Sequence, residues 1–170
     1  GASPAKILFL APGLETVSAA ARSIASWYET YPRIRVWQQE VVDQCVKDGS
    51  VRTYFGHRRT IPGIYAKDRG LRSEAQRQAI NSVVQGTGGG VMKLALVRVY
   101  NGLTKNAPSA ILTLTVHDEL VVECNKEGTA AVVGVLQGMT SGLMPIELPV
   151  EIKYGPNWAE TRPWKGRYEE

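Results

Sequence analysis

Residues 111–124 read ILTLTVHDELVVEC and place a polar triplet between two runs of apolar and β-branched residues. Runs of this length and composition are typical of strands, and the triplet between them is typical of a turn. We therefore expect an antiparallel hairpin with strands at 111–116 and 119–124. The hairpin constrains the fold, because its apolar residues need a core to pack against while the acidic tip stays at the surface or in a cleft.

The triplet His117, Asp118 and Glu119 admits two interpretations. A carboxylate at the tip of a tight hairpin can point into a cleft, where Asp118 would be well placed to bind a hard divalent cation. Alternatively, all three residues are ordinary solvated turn residues. The spacing of the triplet does not decide between the two interpretations. Features elsewhere in the sequence are needed to distinguish them.

Helical patterns alternate with short β-rich segments in the rest of the chain. Apolar residues at helical spacing predict helices at 17–31, 34–47, 70–84, 91–103 and 128–142. β-branched and aromatic residues on either side of Gly56 and His57 predict a second hairpin, and residues 148–158 predict a last strand that ends at Gly155 and Pro156. This order predicts an α+β fold, with a small antiparallel sheet packed on several helices. A length of 170 residues favours one compact unit.

Gly86–Gly90, with the sequence GTGGG, separates the helical patterns at 70–84 and 91–103. Three consecutive glycines at a helix start cost about 0.5–1 kcal/mol each relative to alanine. We therefore expect an interruption between two helices. A flexible joint is favoured there over a loop that cradles phosphate.

Positive charge is concentrated between Arg52 and Arg77, a segment that contains seven basic residues and only two acidic ones. The formal charge of the whole chain is only +4. From the end of this segment onward, Arg77, Asn81 and Gln85 recur every four residues, so on a helix they share one face. Arginine can fork to phosphate, while asparagine and glutamine can contact sugars and base edges. The row is suited to binding a polyanion. The alternative interpretation is an ordinary polar helix face that contacts only solvent. The adjacent basic hairpin, which carries Arg58 and Arg59, favours nucleic acid.

Cysteine content and hydropathy narrow the class of protein further. Cys45 and Cys124 are far apart in sequence and fit no zinc or redox spacing, so reduced thiols in a cytosol-like compartment are expected. No apolar run reaches the roughly 18 residues that a membrane span needs. The segment AKILFLAPGL is too short for a span and lacks the flanks of a signal peptide. A cytoplasmic location is the expectation.

Five ordered blocks of the sequence resemble the C-terminal part of family A DNA polymerases of the bacterial and phage type. They are YP.I..WQ, G.V.T.FG.RR.IP.I, EAQRQAIN..VQGT, VHDELVVE and GPNWAE, and they extend over residues 27–160. The resemblance implies late fingers helices and part of a palm. By this reading residues 1–50 form a helical fingers-like segment. Residues 51–170 would be a partial palm with a helix that contacts template and primer and a hairpin like motif C of the family.

The resemblance also implies roles for individual residues. Asp118 matches one of the two aspartates that hold a pair of Mg²⁺ ions, His117 would lie by the primer end, and Glu119 would lie close to the metals. Arg77, Asn81 and Gln85 match the helix that tracks template and primer, and Arg58 and Arg59 are further candidate DNA contacts. Lys6 is the nearest candidate for the nucleotide-binding lysine of the fingers. Pro12 near the tyrosine position and the lack of an upstream arginine argue against that assignment.

The resemblance is incomplete at the first aspartate motif of the family, DYS..E. The aspartates of this sequence are Asp43, Asp48, Asp68 and Asp118, and none stands in such a motif. We therefore expect a fragment or split subunit of a DNA polymerase, inactive alone. A second polypeptide or an N-terminal region would supply the first aspartate and the full fingers helix, and the complete enzyme would use primer–template DNA and deoxynucleoside triphosphates.

Two other functions are compatible with the sequence. One is a non-catalytic nucleic-acid-binding protein derived from a polymerase palm, which a neighbouring reading frame carrying DYS..E would argue against. The other is an unrelated metal hydrolase that uses His117, Asp118 and Glu119. The hydrolase would need further metal ligands, and the only other histidine, His57, lies in the basic hairpin.

Overall fold

A computed structural model describes residues 16–167 of the chain. In chain order the elements are α1 (Val17–Thr30), α2 (Pro32–Asp48), β1 (Ser50–Arg52), β2 (Arg58–Thr60), a 3-10 turn (Pro62–Tyr65), α3 (Arg69–Asn106), β3 (Ile111–Val116), β4 (Glu119–Glu123), α4 (Thr129–Gln137), β5 (Lys153–Tyr154), a second 3-10 turn (Trp158–Glu160) and β6 (Arg162–Pro163). The expected α+β class is confirmed. Within residues 16–167 the strands form separate antiparallel pairs, β1 with β2, β3 with β4 and β5 with β6, and not one sheet. No helix in that range is long and apolar enough to cross a membrane.

The chain divides into two compact units, one ending at Thr87 and the other beginning at Gly88. Each unit has its own hydrophobic core. The buried residues of the first core are Cys45, Val51, Ile61, Ile64, Ala75 and Ala79. Those of the second are Val99, Leu103, Ala107 and Val132. The two separate clusters of buried side chains account for this division. The sequence alone favoured a single compact unit. The division by role at residue 50 stays a prediction.

Local signals account for the bounds of the first two helices. Thr16 caps α1, and its hydroxyl accepts a hydrogen bond from the Ala19 N–H at 3.1 Å. Pro32 is the first residue of α2, where its missing N–H costs nothing. Gly49 ends α2 in the left-handed conformation, with φ of 65°, and donates its N–H to the Cys45 carbonyl at 2.8 Å. The predicted helices at 17–31 and 34–47 are confirmed to within two residues.

Helix α3 corrects the prediction of two helices separated by a glycine run. It extends without a break from Arg69 to Asn106, and Gly86–Gly90 lie within it. Glycine weakens a helix by about 0.5–1 kcal/mol relative to alanine, but it keeps both main-chain hydrogen-bonding groups, so it does not by itself end one. The expected break between two helices is therefore wrong, and the run is not a phosphate-cradling loop. Its flexibility as a joint stays a prediction, and the division between the two compact units falls within it.

The β3–β4 hairpin forms as the sequence predicts. Val116 pairs with Glu119 and Ile111 with Glu123, and an irregularity in the register lies between Leu112 and Leu114. Strand β4 ends one residue earlier than expected. Helix α4 is shorter than the predicted 128–142, and only Lys153–Tyr154 of the predicted last strand is paired, with Arg162–Pro163 as its partner.

Candidate functional site

The acidic triplet lies at the tip of the β3–β4 hairpin. Since Val116 and Glu119 are paired, His117 and Asp118 form a two-residue turn between the strands. His117 has a φ of 54°, the only positive φ of a non-glycine residue in the described part of the chain. His117, Asp118 and Glu119 are all exposed. Asp118 therefore stands at the surface on a short turn.

The core of the second unit holds this turn in place. Leu112, Leu120 and Val122 of the hairpin pack against the buried cluster that includes Val99 and Leu103 of α3. One face of the hairpin is thus fixed on helices, as a two-stranded sheet requires for stability. The strands carry the apolar contacts, and none of the three tip residues belongs to the second core as described.

The tip by itself lacks the ligand set of a metal site among the described residues. Within residues 16–167, no group of three or more His, Cys, Asp or Glu side chains is arranged to hold a metal ion. A magnesium ion prefers six oxygen ligands, several of them water, with one or two carboxylates from the protein. Asp118 can offer one such carboxylate, but the described residues do not form a two-ion site by themselves.

The predicted polar row lies on an exposed face of α3. Arg77, Asn81 and Gln85 are all exposed, while Ala75 and Ala79 face the core of the first unit. The alternation follows from the 3.6-residue period, which puts these two sets on opposite sides of the helix. Arg77 Nη1 donates a hydrogen bond to Ser73 Oγ at 2.9 Å, which extends the guanidinium along the helix surface. The single exposed face of the row is confirmed, and its contact with DNA stays a prediction.

The β1–β2 hairpin of the same unit adds a second set of exposed cations. Arg52 on β1 lies opposite Arg58 on β2 in the strand register, and Arg59 follows on β2. Arg58 Nε donates to Ser50 Oγ at 2.9 Å. Within residues 16–167, neither Arg77 nor any of these three arginines forms an ion pair with a carboxylate. The first unit therefore presents guanidinium groups whose charge no carboxylate of the described residues neutralises.

Two contacts that the sequence did not predict join this hairpin to α3. The Tyr54 N–H donates to Thr87 Oγ1 at 3.0 Å, and Thr87 Oγ1 in turn donates to the Val83 carbonyl at 2.6 Å. Gly86 lies directly beside Thr53. No periodicity or motif links residues 33 positions apart, so the sequence carried no signal for these contacts.

The two cysteines are free thiols, as expected. Cys45 is fully buried in the first core, and Cys124 is exposed. Burial raises the pKa of the Cys45 thiol, and the negative charge of Asp48 raises it further. Lys6, the candidate nucleotide contact, lies outside the described residues.

Comparison with known proteins assigns the chain to a family. The model of DNA polymerase family A matches residues 9–160. A thermostable DNA polymerase I from Thermus thermophilus is 35% identical over 136 residues, which are 80% of this chain and 16% of that protein. DNA polymerase I from Pseudomonas aeruginosa is 35% identical over 150 residues, 87% of this chain and 16% of that protein. The chain thus spans about a sixth of the length of these relatives.

A solved structure shares the fold. It is the POL domain of Pol1 from M. smegmatis in complex with DNA primer-template and dNTP, with a TM-score of 0.77 and 24% sequence identity over 88% of this chain and 26% of that chain. The expected resemblance is confirmed by the family match and by this likeness of fold. Because the family model covers most of its length, the chain belongs to DNA polymerase family A.

Proposed function

We propose that this chain binds primer–template DNA and contributes Asp118 as one metal-binding carboxylate to nucleotidyl transfer by a family A DNA polymerase. The remaining parts of that enzyme, including the first palm aspartate and the complete fingers helix, would come from a second polypeptide or from an N-terminal region. The complete enzyme would use deoxynucleoside triphosphates and act in the cytoplasm of a bacterial or phage-infected cell. Family membership supports this proposal.

The observation that carries the proposal is the exposed row Arg77, Asn81 and Gln85 on α3. Its arginine lacks a carboxylate partner among residues 16–167, and so do Arg58 and Arg59 of the hairpin in the same unit. Guanidinium groups bind phosphate through paired N–H donors, and side-chain amides can contact sugars and base edges. An unneutralised cationic surface with amides beside it is suited to a nucleic acid backbone better than to a neutral ligand.

The hairpin tip would supply the second contribution. Asp118 is exposed on a turn that the second core fixes. Its carboxylate can therefore bind a metal ion together with ligands from outside the described residues. Asp118 would help to hold Mg²⁺ in such a site, and the bound ions would supply the Lewis-acid chemistry that activates the primer 3′-hydroxyl and offsets the charge of the triphosphate. His117 would approach the primer end, and Glu119 would add negative charge near the ions.

Salt-dependent DNA binding tests the role of the row. Fluorescence anisotropy with a labelled primer–template, over a series of KCl concentrations, should give affinity that falls steeply as salt rises, because each phosphate contact releases counterions. Arg77→Ala should lower the affinity and reduce the log–log salt slope by about 1.

Arg33→Ala is the matched control for that experiment. Arg33 is an arginine on α2 with a side chain 76% exposed, but it pairs with Glu40 at 3.2 Å, so its removal should leave the salt slope unchanged. A chain that fails to bind DNA would overturn the proposal. An Arg77→Ala slope equal to that of the unchanged protein would show that Arg77 only faces solvent.

A further inference from the structure

Tyr54 occupies an unusual position in the turn between β1 and β2. Its side chain is 57% exposed, whereas its main-chain N–H is held by Thr87 Oγ1 on α3. A large aromatic ring is thus kept at the surface on a backbone that is fixed at that point. Any residue other than proline at position 54 could make this main-chain hydrogen bond, so the contact does not explain the tyrosine ring.

The turn forms without help from the Tyr54 side chain. Gly56 supplies the positive φ of 81° that the turn requires, and its N–H donates to the Thr53 carbonyl at 2.9 Å. Within residues 16–167 the Tyr54 hydroxyl has no hydrogen-bond partner. Neither folding of the turn nor burial in a core accounts for the side chain.

The neighbouring Phe55 restricts the Tyr54 ring. The two rings meet edge to face, with centroids 5.2 Å apart and planes at 89°. Phe55 is half-buried and Tyr54 is exposed, so the contact limits rotation of Tyr54 while most of its surface remains open to a ligand. A restricted aromatic ring loses little conformational entropy when another flat group stacks on it.

Cations flank the ring on both sides in sequence. Arg52 precedes it and donates through Nη1 to the Gly56 carbonyl at 3.4 Å, while Arg58 and Arg59 follow it on β2. Exposed aromatic rings among unneutralised cations are typical of surfaces that bind single-stranded nucleic acid, because bases stack on the rings while the cations meet the phosphates.

We propose that Tyr54 is a stacking platform for an unpaired base in the single-stranded part of primer–template DNA. The inference rests on the proposed function and extends it from the duplex to the template overhang. Stacking is tolerant of sequence, because every base has a flat face. The site therefore takes an unpaired nucleotide of any base and discriminates single-stranded from fully paired DNA.

Binding to two DNA molecules tests the proposal in the full chain. One is a primer–template with a single-stranded overhang, and the other is the blunt duplex of the same paired sequence. Tyr54→Leu should weaken binding to the overhang DNA by about 5- to 10-fold and leave the blunt duplex unchanged, whereas Tyr54→Phe should retain binding because the ring is kept. Tyr31→Leu removes a tyrosine that is 52% exposed and packs on Trp27, and it should change neither affinity.

Photocrosslinking gives an independent readout. A 5-iododeoxyuridine in the overhang should crosslink to Tyr54, as located by mass spectrometry of the peptides. Equal overhang affinity for Tyr54→Leu and the unchanged chain, equal losses on both DNA molecules, or crosslinks confined to other residues would each overturn the stacking role alone. An unchanged chain that binds neither DNA would overturn the proposed function as well.

Discussion

Gly86 lies so close to Thr53 that a Cβ atom on Gly86 would come within 2.6 Å of Thr53 Cγ2. The threonine cannot rotate away freely, because its hydroxyl accepts a hydrogen bond from the His57 N–H at 3.1 Å. The missing side chain at Gly86 is therefore what allows the β1–β2 turn to approach α3. One glycine of the run has a packing role, and its neighbours need not share it.

Gly86→Ala should destabilise the protein by about 1–3 kcal/mol, because the added methyl group overpacks the contact with Thr53. The free energy of unfolding, measured in urea, checks this. Gly88→Ala is the matched control, since a Cβ there meets nothing within 4 Å and the position is helical. It should stabilise the protein by about 0.5–1 kcal/mol. Equal effects of the two changes would show that Thr53 and Gly86 are not in contact.

Thr87→Val should leave the Tyr54 N–H without its acceptor at almost constant side-chain volume. We expect a loss of about 0.5–1.5 kcal/mol in the free energy of unfolding and faster amide hydrogen exchange at Tyr54. Thr104→Val is the control, because Thr104 Oγ1 donates only to the Tyr100 carbonyl of its own helix, at 2.9 Å. Unchanged exchange at Tyr54 in Thr87→Val would contradict the hydrogen bond between hairpin and helix.

Asp118→Asn should abolish primer extension when the chain is supplied with a second polypeptide that carries the rest of a family A polymerase. The amide keeps the size of the side chain but removes the charge that would hold the cations. DNA affinity and melting temperature should not change, because Asp118 is exposed and outside both cores. The isolated chain, with or without the substitution, should give no extension.

Glu123→Gln is the control for that experiment, as another exposed carboxylate on the same hairpin. Full turnover by Asp118→Asn together with a lower melting temperature would make Asp118 a structural turn residue. Extension by the isolated chain that depends on Asp118 would show that the described residues need no partner.

The thiols of Cys45 and Cys124 should react at very different rates with a thiol reagent such as Ellman's reagent. Cys124 is exposed and should react at once, whereas Cys45 should react only as the first unit opens. Burial raises the pKa of Cys45, so its contribution to stability is complete below the pKa of the thiol in the unfolded chain. That contribution is lost as pH rises through the folded pKa. Two fast thiols at neutral pH would contradict the burial of Cys45.

Local patterns predicted the elements whose determinants are close together in sequence. The β3–β4 hairpin follows from the apolar and β-branched runs on either side of the polar triplet, and α2 follows from Pro32 at its start and Gly49 at its end. The exposed row beginning at Arg77 follows from the helical period alone. Its surface position was predictable for that reason, whereas its binding to DNA stays a proposal.

Sequence reasoning failed at the glycine run and at contacts between distant elements. Propensity treats Gly86–Gly90 as a break, but helix α3 continues through the run. The reason that Gly86 is a glycine lies at Thr53, and the reason for the hydroxyl at Thr87 lies at the Tyr54 N–H. Neither pair can be recognised from the sequence, because the partners belong to different elements and share no motif.

His117 adopts a φ of 54° in the hairpin turn, a conformation that costs a side-chain-bearing residue about 1–2 kcal/mol and that glycine adopts freely. In a library of all twenty residues at position 117, a screen for thermal stability should therefore enrich glycine and asparagine over histidine. A second screen of the same library would select for DNA synthesis by the chain together with the rest of the polymerase. It would show how the histidine side chain ranks for activity, independently of its rank for stability. Position 117 is a place in the chain where selection for folding and selection for chemistry are expected to favour different residues.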